Sequence, residues 1–429
     1  MRELLASPAV SFVGRHNSGK TTIVCEVIAE LTARGLDVGS IKHHGHAGFS
    51  IDVPGKDSYR HRQAGATETV IASPDALARI KTVPHEVECD QILASMPGHD
   101  IVVVEGYRAS GLPCIEVMRQ GNRRDVEAAP ALLEFGFDSP EFRATGNRRA
   151  QDASSKTVAV LTDIPAVRAF AERCGVPVFE LPSSETPEFE RLIGRLCDFL
   201  QENFVRPRVA VAVQAGGESR RMGASKALAD FRGEPLVSRL VRRMAPAADE
   251  VLVTTNGHDD LDFLSHCHSD IELEVVRDVC AQRGALPGLL TALEGAHCPI
   301  VAVVAVDMAF ASPELAAAEA RLLWESGVDA VVPRNVHGFE PLHAAYRRDT
   351  CLPVVRELVA QGSFRARDLL DRVKVRTLSS AEVHAIVPAG GCFANANTPE
   401  ELERLRSYDV EAALSALIPN ESHYYHKTF

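Results

Sequence analysis

Val209-Ala-Val-Ala-Val-Gln-Ala-Gly-Gly-Glu-Ser-Arg-Arg-Met-Gly-Ala-Ser-Lys226 joins an apolar run to a loop rich in glycine and basic residues. The apolar run predicts a buried strand, and the glycines that follow allow backbone N–H groups to approach phosphate oxygens. Arg221 and Lys226 add positive charge at the same place. A loop of this kind at the end of a strand predicts a binding site for a nucleoside triphosphate.

A second, different phosphate loop lies near the start of the chain. Gly14-Arg-His-Asn-Ser-Gly-Lys-Thr21 fits the pattern G-x-x-x-x-G-K-[ST] and follows a strand-like run at 10–13. Its lysine is expected to reach the β- and γ-phosphates, and its threonine hydroxyl to ligate Mg²⁺. The predicted nucleotide-binding residues here are Gly14, Asn17, Ser18, Gly19, Lys20, Thr21 and Thr22. Glu105, after the apolar run 101–104, is either a further Mg²⁺ ligand or a surface acid at a strand end.

Composition limits the class of protein. With 429 residues, of which 45% are hydrophobic and 24% charged, the chain is long enough for two or three globular domains. The net charge of −12 disfavours a broad nucleic-acid interface, and no apolar stretch is long enough to predict a membrane span. The 10 cysteines lack paired spacing, and the first phosphate loop leaves no room for a signal peptide, so a cytoplasmic protein is expected.

Short apolar runs alternate with amphipathic segments in both halves, which predicts α/β folds with parallel sheets. Strands are expected near 10–13, 38–42, 101–104, 158–161, 176–179, 209–213, 250–254, 272–276, 299–306 and 328–333. A helix is expected at 21–34, ended by Gly35. Residues 119–156, highly charged and without a clear period, are interpreted as a surface excursion.

The predicted fold is therefore two three-layer α/β domains, the first P-loop NTPase-like and the second Rossmann-like. Their expected limits are 1–203 for the first domain, 204–208 for a linker, 209–410 for the second domain and 411–429 for a C-terminal tail.

Polar side chains follow the strand-like runs of the second half. Asp307 comes directly after the run 301–306, where its carboxylate either holds Mg²⁺ against a triphosphate or caps the next helix. Asn395 and Asn397 alternate, so on a strand both amides face one side and can reach the metal or the phosphates. Thr398, followed by proline, is also typical of a helix start.

Together these motifs resemble the molybdenum cofactor guanylyltransferase family (MobA type) over nearly all of residues 206–410. The matching segments are 215–217, 221–223, 226–228, 233–237, 307–310 and 393–400. The resemblance implies transfer of GMP from GTP to the terminal phosphate of molybdopterin, with release of pyrophosphate and Mg²⁺ held by Asp307. It gives catalytic roles to Arg221, Lys226 and Asp307, and nucleotide contacts to Ala215, Gly216, Gly217, Ser219, Gly223, Lys226, Asn256, Asp278, Asn395 and Asn397.

The sequence departs from this family at a few positions. Gln214 stands where the family usually has leucine, and Ala309 replaces the proline after Asp-Met. A related cytidylyltransferase family has alanine in the loop, and Gly216-Gly217 favours guanine because a missing Cβ is expected to leave room for a purine. Transfer of CMP from CTP remains the alternative.

The first half resembles the GTP-binding adapter proteins of molybdopterin guanine dinucleotide synthesis (MobB type) over about residues 8–165. The matching segments are 14–22, 42–46, 52–60, 64–66, 104–106 and 115–117. The resemblance implies binding of GTP and a homodimer formed through this domain. Because the sequence offers no obvious water-positioning glutamine or arginine finger, hydrolysis is expected to be slow. It also implies delivery of substrate or cofactor toward molybdoenzymes or their chaperones, although a purely regulatory nucleotide switch remains an alternative.

Two motifs of the first half bear on its ligand. The guanine-reading motif N-K-x-D is absent, and Leu161-Thr-Asp163 is the nearest substitute. His43, His44 and His46 are expected beside the phosphates or the pterin rather than in a metal centre, since no cysteine or carboxylate completes a ligand set. Because both resemblances concern one biosynthetic step, the chain is interpreted as a fused, bifunctional protein.

Overall fold

The computed structural model describes residues 2–45, 51–145, 155–182, 187–216, 225–256, 261–267, 272–280 and 282–407. The chain divides into two compact units. The first unit is Ser7–Val205, and the second contains the residues before Ser7 together with those from Arg206 onward. No helix within the described residues has the length and apolar character needed to cross a membrane.

The first unit contains eight strands and seven helices within its described residues. The strands are β1 (Ala9–Gly14), β2 (Val38–Lys42), β3 (Glu68–Ala72), β4 (Leu77–Lys81), β5 (Ile101–Glu105), β6 (Cys114–Met118), β7 (Thr157–Thr162) and β8 (Val178–Glu180). The helices are α1 (Lys20–Ala33), α2 (Asp57–Gln63), α3 (Cys89–Ala94), α4 (Arg123–Phe135), α5 (Pro140–Ala144), α6 (Pro165–Arg173) and α7 (Pro187–Asn203).

The main sheet of the first unit is parallel and has apolar side chains packed on both faces. Its strand order is β2-β5-β1-β6-β7-β8. Ile101 and Val103 of β5 point into one buried cluster, and Val102 and Val104 point into the other. The α/β class predicted for this half is confirmed, and α1 ends as expected before Gly35, which has φ +84°.

Strand β6 was not among the predicted strands, because Glu116 interrupts its apolar sequence. The structure buries Glu116 completely and pairs it with Arg108 and Arg15. A buried carboxylate with cationic partners is compatible with a central strand, but the pairing cannot be read from the local pattern.

The interpretation of residues 119–156 as a surface excursion is wrong for the described part, which reaches residue 145. Helices α4 and α5 bury Leu132 and Phe142 in a cluster that also contains Val160 of the sheet. The hydrophobic periodicity of these helices was not recognisable in the sequence, because two of their charged residues, Asp125 and Arg143, are also buried.

The second unit is larger. Its strands are β9 (Val209–Gln214), β10 (Asp230–Phe231), β11 (Glu234–Pro235), β12 (Glu250–Thr255), β13 (Leu273–Arg277), β14 (Ile300–Ala305), β15 (Ala330–Asn335), β16 (Gly338–Phe339), β17 (His343–Arg347) and β18 (Val375–Leu378). Its helices are α8 (Leu236–Met244), α9 (Phe263–Cys267), α10 (Ala285–Gly295), α11 (Pro313–Ser326), α12 (Arg348–Ala360), α13 (Arg367–Leu370), α14 (Ser380–Ile386) and α15 (Pro399–Ser407), with a short 3₁₀ helix at Ala245–Ala247.

The sheet of the second unit is mixed. It runs β13-β12-β9-β14-β17-β15-β16, and β18 pairs with β15. Strands β13, β12, β9 and β14 are mutually parallel, whereas β17 is antiparallel to both of its neighbours. The four parallel strands therefore end at one edge of the sheet, and the residues that follow them lie close together.

The first residues of the chain belong to the second unit, although the sequence placed all of 1–203 in the first domain. Leu5 is buried in the core of the second unit, and Arg2 Nε lies 2.8 Å from Asp249 Oδ1. Arg206, inside the segment predicted as a linker, donates to both oxygens of the same buried carboxylate, at 2.6 and 2.8 Å. These charge-assisted hydrogen bonds hold the pKa of Asp249 below its usual value despite its burial.

A fully buried carboxylate and imidazole connect α11 to β17 in the second unit. His343 Nε2 accepts the N–H of Ser312 at 3.1 Å, so the ring proton resides on Nδ1, which lies 3.2 Å from Glu319 Oε1. Burial raises the pKa of Glu319 to about 7, against the opposing effect of His343. The second unit thus contains a core group that titrates near neutral pH.

The second unit is expected to lose stability as the pH rises from 4.5 to about 7, because of Glu319. The unfolded chain releases this proton near pH 4.5, whereas the folded chain keeps it until about pH 7, so the free energy of unfolding falls across this window. The expected fall is on the order of 3 kcal/mol, and Glu319→Gln should abolish it.

Urea unfolding followed by fluorescence tests this expectation, since the only tryptophan, Trp324, lies on the same helix as Glu319. The exposed Glu325→Gln is the matched control and should retain the pH dependence of the parent. A parallel pH dependence in Glu319→Gln and the parent chain would contradict the assignment.

Candidate nucleotide-binding sites

The loop 14–19 between β1 and α1 has the backbone of a phosphate-binding loop. Asn17 and Gly19 both have positive φ, 63° and 85°. Gly14 has no room for a side chain, because a Cβ there would lie 2.5 Å from the carbonyl oxygen of Val117. The turn consequently brings the loop directly to the N-terminus of α1, where unpaired N–H groups can face an anion.

Lys20, the first residue of α1, points back over this loop. Its ammonium donates to the carbonyl oxygen of Arg15 at 2.7 Å and to Ser18 Oγ at 3.2 Å. Burial lowers the pKa of Lys20, an effect opposed most strongly by Glu105. The lysine is thus held at the loop before any phosphate arrives.

Thr21, Lys42 and Glu105 meet beside the loop. Thr21 Oγ1 donates to Glu105 Oε1 at 2.8 Å, and Lys42 Nζ lies 3.0 Å from both carboxylate oxygens and 3.2 Å from the threonine hydroxyl. A hydroxyl and a carboxylate are oxygen ligands that suit Mg²⁺, and here they already surround a cation. The residues present therefore fit a magnesium site. Lys42 lies in the segment 42–46 that resembles the adapter family, but the sequence alone assigned it no role in this site.

A buried ion-pair cluster lies beneath the loop and was not predicted. Arg15 Nη1 lies 3.5 Å from Glu116 Oε1 and 3.6 Å from Asp125 Oδ1, while Arg108 Nη1 lies 2.6 Å from Glu116 Oε2. The guanidinium groups of Arg15 and Arg108 both lie over the ring of Phe142. The cluster ties the first residues of the phosphate loop to β6, α4 and α5.

The second site forms at the carboxyl ends of the parallel strands of the second unit. A cleft of about 390 Å³ is lined there by residues that follow β9, β12, β13 and β14. These lining residues include Gly216, Lys226, Asp278, Gly288 and Asp307. Its volume lies in the range of small-ligand sites, about 300–1,000 Å³.

Lys226 and Asp307, which line this cleft, form a polar group with Asn397. Lys226 Nζ lies 3.0 Å from Asp307 Oδ2 and 2.8 Å from Asn397 Oδ1. The ammonium thus occupies a position between two oxygen ligands of the kind that hold Mg²⁺. The structure brings these three sequence-predicted residues together.

Asp278, Gly216 and Asn256 form a second polar group in the second unit. Asn256 Nδ2 donates to the carbonyl oxygen of Gly216 at 3.2 Å, and a Cβ on Gly216 would lie 3.0 Å from Asp278 Oδ2. Burial raises the pKa of Asp278, with the hydroxyl of Thr291 and the charge of Arg283 acting against it. The missing Cβ of Gly216 therefore makes room for a carboxylate, which is a different reason from the purine space expected from the sequence.

The departure at Gln214 is matched by a glycine. A Cβ on Gly288 would lie 2.9 Å from Gln214 Oε1, so the longer side chain fits only against a bare backbone. Gln214 Nε2 is buried and has no hydrogen-bond partner among the described residues.

Asn395 and Asn397 lie in an irregular segment rather than on a strand, so the alternation of strand faces does not apply to them. Asn395 is exposed, whereas Asn397 reaches Lys226. Thr398 Oγ1 accepts the N–H of Glu401 at 3.2 Å, so the helix start was read correctly.

Several predicted positions lie outside the described residues. They are His46, Gly217, Ser219, Arg221, Gly223 and the tail 411–429. Ala215 is buried next to Gly216, and Thr22 is exposed on the first turn of α1.

Comparison with known proteins gives matches to both units. Residues 9–134 match the family model of molybdopterin guanine dinucleotide synthesis protein B, and residues 211–379 match the MobA-like NTP transferase domain. A molybdenum cofactor guanylyltransferase of Desulfosudis oleivorans is 31% identical over 208 residues, which are 48% of this chain and 95% of that protein.

The first unit has its own relative. The molybdopterin-guanine dinucleotide biosynthesis adapter protein of Escherichia coli K12 is 39% identical over 118 residues, 27% of this chain and 67% of that protein. A crystal structure of molybdopterin-guanine dinucleotide biosynthesis protein A from Archaeoglobus fulgidus is 25% identical, covers 48% of this chain and 99% of its own, and has a TM-score of 0.40.

The chain belongs to the molybdenum cofactor guanylyltransferase family through its second unit and to the adapter family through its first. We call Ser7–Val205 the adapter unit and the remainder the transferase unit. The resemblances seen in the sequence are thereby confirmed. The cleft at the strand ends lies within the transferase unit, and the phosphate loop 14–19 lies within the adapter unit.

Proposed function

We propose that the transferase unit moves GMP from GTP to the terminal phosphate of molybdopterin and releases pyrophosphate. The observation that carries the proposal is that Lys226 and Asp307 meet in a cleft at the ends of four parallel strands, where Lys226 also donates to Asn397. Family membership supplies the substrates. In the reaction a phosphate oxygen of the pterin forms a bond to the α-phosphorus of GTP, and the bond from that phosphorus to the bridging oxygen breaks.

The residues of the cleft act on this reaction through position and charge. Lys226 is held by two hydrogen bonds at the place where triphosphate oxygens arrive, so its charge offsets theirs without further reorganisation. Asp307 and Asn397 have the oxygen atoms suited to holding Mg²⁺, which when bound would neutralise charge on the phosphates. Arg221 is proposed as a further cation for the triphosphate. Asp278 and Asn256 are proposed to contact the nucleoside.

We further propose that the adapter unit binds GTP with Mg²⁺ at the loop 14–19, Thr21 and Glu105. The prepositioned ammonium of Lys20 and the oxygen cluster around Lys42 support this assignment. Its task would be delivery of substrate or product toward molybdoenzymes or their chaperones. Because the two units share one chain, each is present at a high effective concentration for the other's ligands.

Pyrophosphate release by the full chain with molybdopterin, Mg²⁺ and each of the four nucleoside triphosphates tests the transferase assignment. GTP alone should support turnover, and Asp307→Ala should lower it by at least about 100-fold, since loss of one electrostatic group in an active site costs that much. Asp371→Ala, an exposed carboxylate of the same unit, is the control. Turnover with CTP would replace the guanylyl assignment by cytidylyl transfer.

The Lys20→Ala variant tests whether the first unit acts only as an adapter or also takes part in catalysis. Nucleotide binding at the loop 14–19 should be lost, because this ammonium is the cation that the loop holds ready for phosphate. Guanylyl transfer at saturating GTP and molybdopterin should be unchanged. A large fall in turnover under these saturating conditions would show that the adapter unit takes part in the reaction itself.

We also propose that the adapter unit forms a homodimer through the β3–β4 hairpin. The hairpin is a separate two-stranded sheet, and Leu77 and Val70 on it are 73% and 54% exposed. Such hairpins are marginally stable in water by themselves, and exposed apolar side chains on one favour a partner.

Leu77→Lys is expected to convert dimers of the full chain into monomers, because it places a charge in the proposed apolar interface. Light scattering after size-exclusion chromatography measures the mass. Val336→Lys is the matched control, since Val336 is 91% exposed and lies in the transferase unit. A monomeric parent chain at high concentration would refute the dimer.

A further inference from the structure

The inference concerns the nucleotide base in the adapter unit, and it rests on the proposed binding at the loop 14–19. Thr21 and Glu105, the oxygen ligands suited to Mg²⁺, lie on the β5 side of the loop. In phosphate-loop proteins the metal bridges the β- and γ-phosphates. With a metal held there, the terminal phosphates would lie on this side, and the nucleoside would extend across the loop toward β6 and β7.

Arg119 and Asp163 are the residues that follow these two strands. β6 pairs with β1, and β7 pairs with β6, with Met118 opposite Thr162. Residues 119 and 163 are thus next to each other at the carboxyl edge of the sheet. The backbone N–H of Gln120 donates to Asp163 Oδ1 at 2.5 Å and fixes this neighbourhood.

The guanidinium of Arg119 lies over the phosphate loop. A Cβ built on Gly19 would be 3.1 Å from Arg119 Nη1, so this side chain packs on the bare face of the glycine. Its backbone N–H donates to Asp125 Oδ2 at 3.0 Å, and Asn122 Nδ2 donates to the carbonyl oxygen of His16 at 3.1 Å. The guanidinium itself makes no hydrogen bond or ion pair with any described residue. A cation placed here has its charge available for a ligand.

The carboxylate of Asp163 is also positioned by its neighbours and can still accept hydrogen bonds. The buried hydroxyl of Thr162 accepts the N–H of Ile164 at 3.0 Å and shapes the turn that presents the half-buried carboxylate. Across the described part of the chain, no basic side chain forms an ion pair with Asp163. One of its oxygens accepts the Gln120 N–H, and the carboxylate keeps further acceptor capacity.

We propose that Asp163 reads guanine and that the Arg119 guanidinium stacks on the face of the base. Guanine presents N1–H and the N2 amino group side by side, and a carboxylate accepts both in a charge-assisted pair. Adenine presents a lone pair at N1, which a carboxylate repels. A planar guanidinium stacks on aromatic faces, so it holds a base without selecting one. Asp163 and Arg119 would thus recognise guanine in a chain that lacks the N-K-x-D motif.

Asp163→Asn provides a test that misfolding cannot imitate. Xanthine has an N1–H donor and a C2 carbonyl acceptor, so an amide that accepts from one and donates to the other should favour XTP. Binding of fluorescent N-methylanthraniloyl GTP, ATP and XTP is measured on the full chain and on its Lys20→Ala counterpart. The part of the nucleotide binding that is lost in Lys20→Ala is assigned to the loop 14–19. The binding that remains is assigned to the transferase cleft and is subtracted.

The parent component should bind GTP at least about tenfold more tightly than ATP, because an unmatched polar edge costs 1.4 kcal/mol or more. Asp163→Asn should lose GTP affinity by a similar factor and gain XTP affinity. Arg119→Ala should weaken GTP and ATP binding in parallel. Asp75→Asn, an exposed carboxylate of the same unit, is the matched control and should match the parent.

The outcomes separate this inference from the function on which it depends. If Lys20→Ala lowers the binding of no nucleotide, the proposal that the loop 14–19 binds nucleotide is wrong, and so is the proposed recognition of guanine by Asp163. If a lysine-dependent component exists but Asp163→Asn leaves the ratio of GTP to XTP affinity unchanged, the site stands and the role of Asp163 is overturned. Unchanged GTP binding in Arg119→Ala would overturn the role of Arg119.

Discussion

A lysine ammonium held among oxygen atoms at the ends of parallel strands is the interaction on which both candidate sites depend. In the adapter unit Lys42 lies between Glu105 and Thr21, and in the transferase unit Lys226 lies between Asp307 and Asn397. Each cluster combines one carboxylate with one neutral oxygen group, a hydroxyl or an amide, and the ammonium makes charge-assisted hydrogen bonds to both. The ammonium groups therefore hold each cluster in a geometry that already suits Mg²⁺ and phosphate.

The strand order and direction in each sheet determine where these clusters form. All strands of the main adapter sheet are parallel, and four neighbouring strands of the transferase sheet are parallel, so their carboxyl ends share an edge. Residues far apart in sequence, such as Lys42 and Glu105, become neighbours because β2 pairs with β5. The antiparallel β17 adds a strand to the transferase sheet and carries His343 into its core, where it meets Glu319.

Most of the fold could be predicted from the sequence, because the parallel strands are short apolar runs and the phosphate loop fixes the first helix. The failures share one cause, which is buried charge. Glu116 interrupted the apolar pattern of β6, and Asp125 and Arg143 interrupted those of α4 and α5. Arg15, distant in sequence, neutralises Glu116 and Asp125, whereas Arg143 pairs with Asp138 five residues before it. The Asp307 group of the transferase site was predicted by motif and order. Lys42 begins a segment that resembles the adapter family and Arg119 lies in none of the matched segments, but the neighbours of both side chains follow from strand pairing.

The two loops share one backbone feature, a glycine that a charged side chain approaches closely, and they differ in the sign of that charge. In the transferase unit Gly216 lacks a Cβ so that Asp278 can approach within 3.0 Å of that position, which puts a buried carboxylate beside the backbone of the loop. In the adapter unit Gly19 lacks a Cβ so that Arg119 can lie at 3.1 Å, which puts a cation there. A glycine in each loop thus admits a charged group from a neighbouring strand end. The sign of that charge sets what each loop can bind beyond phosphate: an anion beside Gly216 suits hydroxyl and N–H donors of a nucleoside, and a planar cation beside Gly19 suits the face of a base.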